Sequence, residues 1–327
     1  MLDSLIAGQD MPVQDHSNII KHDKAALAQY QSLPLNAKIA FTKTRIKNWI
    51  SNFGFDGVYL SFSGGKDSTV LKHIIEEELG YNIPAVFVNT GLEYPGVRQF
   101  ATSQKNVVVV RPKMPFPEVL EHYGYPVVSK EQSQYISDVR NTKSDKVRNL
   151  RLYGRGDSKS YKISEKWKYL IDAPFKISHK CCTVMKKEPA IRYERESGRK
   201  PFIATMTDES SLRLNSWIKY GCNAFNKTRP TSTPMSIWTE QDVLEYIYTR
   251  NVPIASDYGE VKIDENGKYY LTGLPRTGCM FCMYGVQHES HDQNRFIQMK
   301  KNYPKQYKYC MDKLGLDMVL NFMQIEH

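Results

Sequence analysis

Apolar positions along the chain alternate between two rhythms. After a polar, weakly patterned stretch over residues 1–34, Ile39, Ile46, Trp49, Ile50 and Phe53 recur at helical spacing and lay down one apolar stripe. Short continuous apolar runs follow at Val58-Tyr-Leu-Ser-Phe62, Ala85-Val-Phe-Val88 and Val107-Val-Val-Val110. Between the first two runs, Val70, Leu71, Ile74, Ile75 and Leu79 return to helical spacing, and Gly80 is placed to close that helix. Buried strands alternating with helices predict an α/β fold with a doubly wound, mostly parallel sheet and right-handed crossovers. A fourth strand is predicted much later, at Pro201-Phe-Ile-Ala-Thr205.

Beyond Trp217 the pattern changes. Thr239 reads as the N-cap of a helix through Ile247 with acids in its first turn. Glu265-Asn-Gly-Lys268, between Val261-Lys-Ile263 and Tyr269-Tyr-Leu271, reads as a hairpin turn, because Asn-Gly suits the left-handed turn geometry. Phe296, Met299, Tyr303, Tyr307, Cys310, Met311 and Leu314 predict a helical C-terminal part.

Composition adds that the chain folds: 41% apolar and 24% charged residues, with 21 Tyr, 13 Phe and 4 Trp, are ordinary globular usage. A formal charge of +10 favours polyanionic partners. Between Arg140 and Lys168 ten Lys or Arg face three acids, which reads as an exposed basic insertion, either a solvated face or a surface for tRNA or DNA. No basic n-region precedes an apolar core at the N-terminus and no apolar run is long enough to span a bilayer, so the expectation is a cytoplasmic protein with no membrane partner. Six cysteines in such a chain suggest reduced thiols, metal ligands or catalytic groups.

The chemistry concentrates first at Ser63-Gly-Gly-Lys-Asp-Ser68, directly after the first strand. Gly64 and Gly65 let backbone approach an anion, Ser63 and Ser68 offer hydroxyls, Lys66 offers charge, and the following helix aims its N-terminus at the same point. A Walker A loop is excluded, since Leu60 stands at its first glycine and Asp67 follows the lysine. A Gly-x-Gly-x-x-Gly dinucleotide fingerprint is absent as well.

These residues resemble the Ser-Gly-Gly-x-Asp-Ser loop of the N-type ATP pyrophosphatases, and more closely the phosphoadenosine phosphosulfate (PAPS) reductase family. Val88-Asn-Thr-Gly91 stands where that family often has Asp-Thr-Gly. Cys181-Cys-Thr-Val-Met-Lys-Lys-Glu-Pro189 is similar to its Cys-Cys-x-x-x-Lys-x-x-Pro segment, and Pro234-Met-Ser-Ile-Trp-Thr-Glu-Gln-Asp-Val243 to its later helix start. The resemblance spans roughly residues 35 to 285 and implies the adenine nucleotide alpha hydrolase-like fold with a helical, cysteine-bearing C-terminal part. The patterning divides the chain into an expected N-terminal extension (1–34), a nucleotide-binding α/β domain (35–217) carrying the insertion 140–168, and a cysteine-bearing helical region (218–327). The resemblance further implies that Ser63, Gly64, Gly65, Lys66, Asp67 and Ser68 hold nucleotide phosphates and that Asn89, Thr90 and Gly91 lie near the ribose or base. Lys66, Asp67 and Arg213 are the expected catalytic residues, with ATP or another adenylyl nucleotide and Mg²⁺ bound.

Cys279-Met-Phe-Cys282 is a Cys-x-x-Cys and Cys181-Cys182 a vicinal pair; four thiolates from two distant segments suit zinc or a [4Fe-4S] cluster. In the iron-sulfur branch of the resembling family this set ligates one [4Fe-4S] cluster, which assigns Cys181, Cys182, Cys279 and Cys282, with Cys222 as an alternative ligand. Lys186 or Lys187 would offset the cluster's negative charge. Sulfonucleotide reductases also use a nucleophilic cysteine in a Glu-Cys-Gly-Ile/Leu-His segment, and these residues contain none; Cys310 lies in an apolar helical pattern and reads as structural. The expected function is therefore a PAPS-reductase-like enzyme of sulfur chemistry performing ATP-dependent sulfur transfer through an iron-sulfur cluster. PAPS or adenylyl-sulfate reduction, with a thiol or electron-donor protein as partner, is the second reading. An inactive nucleotide- and nucleic-acid-binding regulator is the third.

Overall fold

The computed structural model describes residues 22–156 and 160–327. Expectations for residues 1–21, and for Asp157, Ser158 and Lys159 of the basic segment, lie outside the described residues.

Ten strands occur among the described residues: β1 (Val58–Phe62), β2 (Ala85–Val88), β3 (Val107–Val110), β4 (Val127–Val128), β5 (Lys200–Ile203), β6 (Asn223–Ala224), β7 (Thr231–Ser232), β8 (Val261–Ile263), β9 (Tyr269–Leu271) and β10 (Met283–Tyr284). Six of them form the main sheet, in the order β3-β2-β1-β5-β7-β6. The three early strands and β5 are mutually parallel, with Leu60 opposite both Ala85 and Phe202, and only β6 runs antiparallel. The fold is α/β as the alternation of apolar runs predicts. The chain moves from β1 outward to β2 and β3 and then returns to β1's other side with β5, so the carboxyl end of β1 is a topological switch point where ligands collect in such sheets. The phosphate-type loop begins there.

Helix Leu35–Phe53 buries Ile39, Ile46, Trp49 and Ile50, the stripe read from the sequence. Helix Lys66–His73 widens into a π turn at Ile74–Glu78 and ends at Gly80, whose φ of +68° only glycine adopts cheaply. Thr239 caps Glu240–Arg250 in a reciprocal capping box with Asp242, and the same carboxylate takes the buried Lys38 ammonium at 2.7 Å. The β8–β9 hairpin turns at Gly267 as expected.

Within 140–168 most described residues are exposed or half-buried, as read, while helices Lys130–Asn141 and Asp145–Tyr153 contribute to the segment and Ile163 and Trp167 are buried. Some of its cations serve the fold. Arg140 donates to the carbonyls of Phe175 and Ala173, and Arg151 pairs with Asp138 while lying 4.1 Å over the Tyr135 ring. Two elements differ from expectation. The fourth strand is shorter than read and starts one residue earlier, at Lys200. The C-terminal helical part is broken by Pro304 and Gly315 into Arg295–Asn302, Pro304–Lys308, the π turn Tyr309–Lys313 and Leu316–Phe322.

Two apolar cores result. One packs the sheet against Leu35–Phe53 and Glu240–Arg250, with Trp49, Phe62, Leu71 and Trp238 inside. The other gathers residues between Leu92 and Ile325 around the short parallel pair β4–β10 and contains Cys181, Met280, Phe281 and Cys310. Each fully buried large aliphatic or phenylalanine side chain contributes about 1.5–3 kcal/mol of transfer free energy. The cores interleave along the chain and meet at the end of β1 and β2.

Candidate functional site

The loop after β1 is shaped before any ligand arrives. Gly64 has φ +73°, and a Cβ there would lie 2.9 Å from Ala101 Cβ and 3.0 Å from the Val97 carbonyl, so only glycine fits. The Ser63 N–H donates to Ser68 Oγ, the two serine hydroxyls lie 3.0 Å apart, and Ser68 and Thr69 hydroxyls both donate to the Gly65 carbonyl. Gly65 is the cap of helix Lys66–His73, whose first-turn N–H groups face the crevice end of the sheet.

Lys66 is buried with its ammonium 3.3 Å from Glu240 Oε1 and 3.5 Å from Asp67 Oδ1. Burial pushes the Asp67 carboxyl up, opposed by Lys66. Arg213 pairs with Glu209 on its own helix side and lies in electrostatic range of Asp67 and Arg276. Lys66, Asp67 and Arg213, the three residues expected to be catalytic, are thus in one neighbourhood, and Glu240 and Arg276 join them.

The second loop leaves the end of β2. Gly91 has φ +75° and its N–H donates to Asn89 Oδ1 at 3.2 Å. The Thr90 hydroxyl and N–H both donate to Glu93 Oε1, at 2.5 and 3.3 Å. Glu93 Oε2 is buried without a hydrogen-bond partner, and the same carboxylate acts electrostatically on Lys186 and Cys279. The Met280 N–H donates to the Leu92 carbonyl at 2.8 Å, which stitches the Cys-x-x-Cys turn to this loop.

The cysteines sort into three places. Cys181, Cys182, Cys279 and Cys282 lie within electrostatic range of one another, although the two pairs are almost a hundred residues apart in sequence. Burial pushes the Cys181 and Cys279 thiols up, and that of Cys282 up to about 11. Lys186 hydrogen-bonds Cys279 and is held charged by Cys279 first, then by Glu93 and Cys182. Lys187 is also within electrostatic range of Cys182, but Lys130 beside it and burial depress its ammonium. Among the described residues no three His, Cys, Asp or Glu side chains converge tightly enough to ligate a single ion. Cys222 sits in the other core, fully enclosed, against Trp217 and Ser236. Cys310 is fully buried, donates to the Tyr307 carbonyl at 3.2 Å and lies 3.9 Å from Met299 sulfur, with its thiol pushed up to about 12 by burial.

Several residues of this neighbourhood carry no motif signal. Tyr258 accepts the Lys66 N–H at 3.1 Å and lies 2.5 Å from Thr277 Oγ1. Asp257 takes the Val97 N–H and the Tyr303 hydroxyl, each at 2.6 Å. Glu93 alone stood near a motif, two residues beyond Gly91, and its acid type was the available hint.

Comparison with known proteins follows the same line. A family model described as phosphoadenosine phosphosulfate reductase domain matches residues 57–153 and 127–284. Among curated proteins, a glutamine-hydrolyzing GMP synthase of Cytophaga hutchinsonii is 30% identical over 123 residues, 36% of this chain and 24% of its own length. An uncharacterized protein of Methanocaldococcus jannaschii is 23% identical over 250 residues, 76% of this chain and 39% of its own length. The chain therefore spans less than half the length of either curated relative. A crystal structure of PAPS reductase from Candida auris in a phosphate complex superposes with a TM-score of 0.38 at 14% identity, covering 73% of this chain and 92% of that one, a likeness too distant to bear on the site.

Proposed function

This chain belongs to the phosphoadenosine phosphosulfate reductase domain family, and from that premise we propose that it is an enzyme that activates a substrate with ATP and replaces the activated oxygen by sulfur. The observation that carries the reading is the meeting of two motifs. The loop that leaves β2 at Asn89 is tied through Glu93 and Leu92 to the turn holding Cys279 and Cys282. A nucleotide at the end of β1 and β2 therefore borders the four thiols.

In this reading Ser63 to Ser68 grip the phosphates of ATP, with Lys66 and Arg213 offsetting their charge and Asp67 and Glu240 available to Mg²⁺. Asn89, Thr90 and Gly91 border the ribose or base. A substrate oxygen attacks the α-phosphorus, the α–β bridging bond breaks, and pyrophosphate leaves. A sulfide-class nucleophile then attacks the carbon bearing the adenylated oxygen, forms the C–S bond and releases AMP. The chain's contribution is positioning and electrostatics, and the dry walls around Met280 and Phe281 keep water from competing.

Cys181, Cys182, Cys279 and Cys282 would hold a [4Fe-4S] cluster, which when bound supplies a soft site for sulfur species. What supports this is that the four thiols lie in electrostatic range of one another, with a buried ammonium, Lys186, beside them to offset thiolate charge.

Reduction of a sulfonucleotide by Cys310 is disfavoured by that residue's place. A nucleophile needs an accessible thiolate, and Cys310 is enclosed and held as the thiol. Calorimetric titration with ATP, PAPS and adenylyl sulfate tests the proposal. Tight binding of ATP with weak binding of the two sulfonucleotides is expected; binding of PAPS alone would replace ATP activation by reduction.

A further inference from the structure

Two connections reach the cysteine segment from the end of the sheet: one leaves the loop after β2 at Leu92, and the other runs from the phosphate-type loop through a side chain that neither motif contains. Tyr258 is buried in the core that holds the cysteines, yet its phenol reaches the other core's loop. The Lys66 N–H donates to Tyr258 Oη at 3.1 Å, and Oη lies 2.5 Å from Thr277 Oγ1, two residues before Cys279. Burial holds the tyrosine as a neutral phenol, so one oxygen can accept from Lys66 and donate to Thr277.

The support beneath this side chain is rigid. Tyr258 N–H donates to the Ala255 carbonyl and Gly273 N–H to the Tyr258 carbonyl, at 3.0 and 2.9 Å. Its neighbour Asp257 caps helix Pro95–Ser103 through Val97. A Cβ on Gly65 would lie 3.3 Å from Tyr258 Oη, so the loop rests directly on the phenol. A side chain fixed at both ends transmits a shift of the loop to the segment beyond it, where a solvated tyrosine would absorb it.

We propose that Tyr258, together with Thr277, is a positioning residue that holds the phosphate loop and the cysteine segment in one register, so that a nucleotide phosphate in the loop tightens residues 274–282. Its nucleotide half rests on the reading of Ser63 to Ser68 as a phosphate grip. The Lys66 N–H is committed to the phenol, which leaves the other loop donors and the Lys66 and Arg213 side chains for the phosphates.

Hydrogen–deuterium exchange on the full chain, with and without ATP, tests the proposal in the parent, Tyr258→Phe and Thr277→Val. In the parent, ATP slows exchange over both 63–69 and 274–282. Without ATP, Tyr258→Phe exchanges about fivefold faster than the parent over 274–282, the effect of one lost hydrogen bond, and ATP no longer slows that segment. Thr277→Val speeds 274–282 similarly but keeps the parent's ATP protection over 63–69. Exchange over 274–282 that is the same in all three proteins overturns the proposal. If ATP leaves 63–69 of the parent unchanged, the nucleotide reading fails, and the ATP-free comparison of parent and variants still decides whether Tyr258 braces the cysteine segment.

Discussion

Between Ser63 and Ser68 the serine hydroxyls and the loop carbonyls already satisfy one another, and the one strained backbone position is a glycine. Around Cys181, Cys182, Cys279 and Cys282 the opposite holds: thiols are gathered in a desolvated place where burial penalises their charged form, with Lys186 as the nearby cation. In the proposed reading, the first region is preorganised for an anion. The second is assembled at a cost that a resident cationic group would offset, as metal-thiolate sites do. The difference teaches that one crevice can be internally satisfied on one side and electrostatically unbalanced on the other.

Changes that strike the preorganised side should have the largest effect. Gly64→Val places a β-branched residue at φ +73° with its Cβ against Ala101 and the Val97 carbonyl. It should cost about 2–4 kcal/mol of stability by denaturant titration and weaken nucleotide binding by more than about 100-fold, the equivalent of about 2.7 kcal/mol. Retained affinity would mean that the loop does not hold the nucleotide.

On the cysteine side, Cys279→Ser should abolish iron binding with little loss of nucleotide affinity, while Cys222→Ser, in the other core, should leave iron content as in the parent. Iron lost in both variants would join Cys222 to the ligand set.

Glu93→Gln probes the bond between the two regions. It keeps an acceptor for Thr90 but removes the charge felt by Lys186 and Cys279. Nucleotide affinity should fall about threefold to tenfold, within the range for a charge-assisted hydrogen bond, with iron content unchanged; calorimetry and metal analysis on one preparation read both.

The smallest effect belongs to Cys310. Its thiol, raised from 9.0 to about 12, is neutral in the folded protein, so the stability it contributes is fully present below pH 9.0 and lost as pH rises through about 12. Near neutral pH it should resist iodoacetamide in the folded chain, and Cys310→Ala should cost about 1 kcal/mol without changing turnover. Rapid labelling there under native conditions would restore it as a nucleophile.

Much of this architecture is legible in the sequence because it depends on local rhythm. Val58–Phe62, Ala85–Val88 and Val107–Val110 are continuous apolar runs, and Thr239 and Asp242 stand at capping-box spacing. Strands β6 and β7 are two residues each and carry no rhythm, and their place at the sheet edge is set by β7 pairing with β5 and β6 with β7. Within the basic segment, charge counts alone do not reveal that Arg140 donates to the Phe175 carbonyl and that Arg151 pairs with Asp138. The phosphate-type loop was readable as a motif, whereas Tyr258 was not: it meets Lys66 from 192 residues away, and only the packing of one core on the other brings it there.

Iron and acid-labile sulfide analysis of the anaerobically purified chain, with the absorption spectrum of the same sample, tests the central claim that the four gathered thiols hold a cluster beside the nucleotide loop. About four iron and four sulfide per chain are expected, with a broad thiolate-to-iron band that Cys279→Ser removes. One zinc per chain, or iron that Cys279→Ser leaves in place, would contradict the claim.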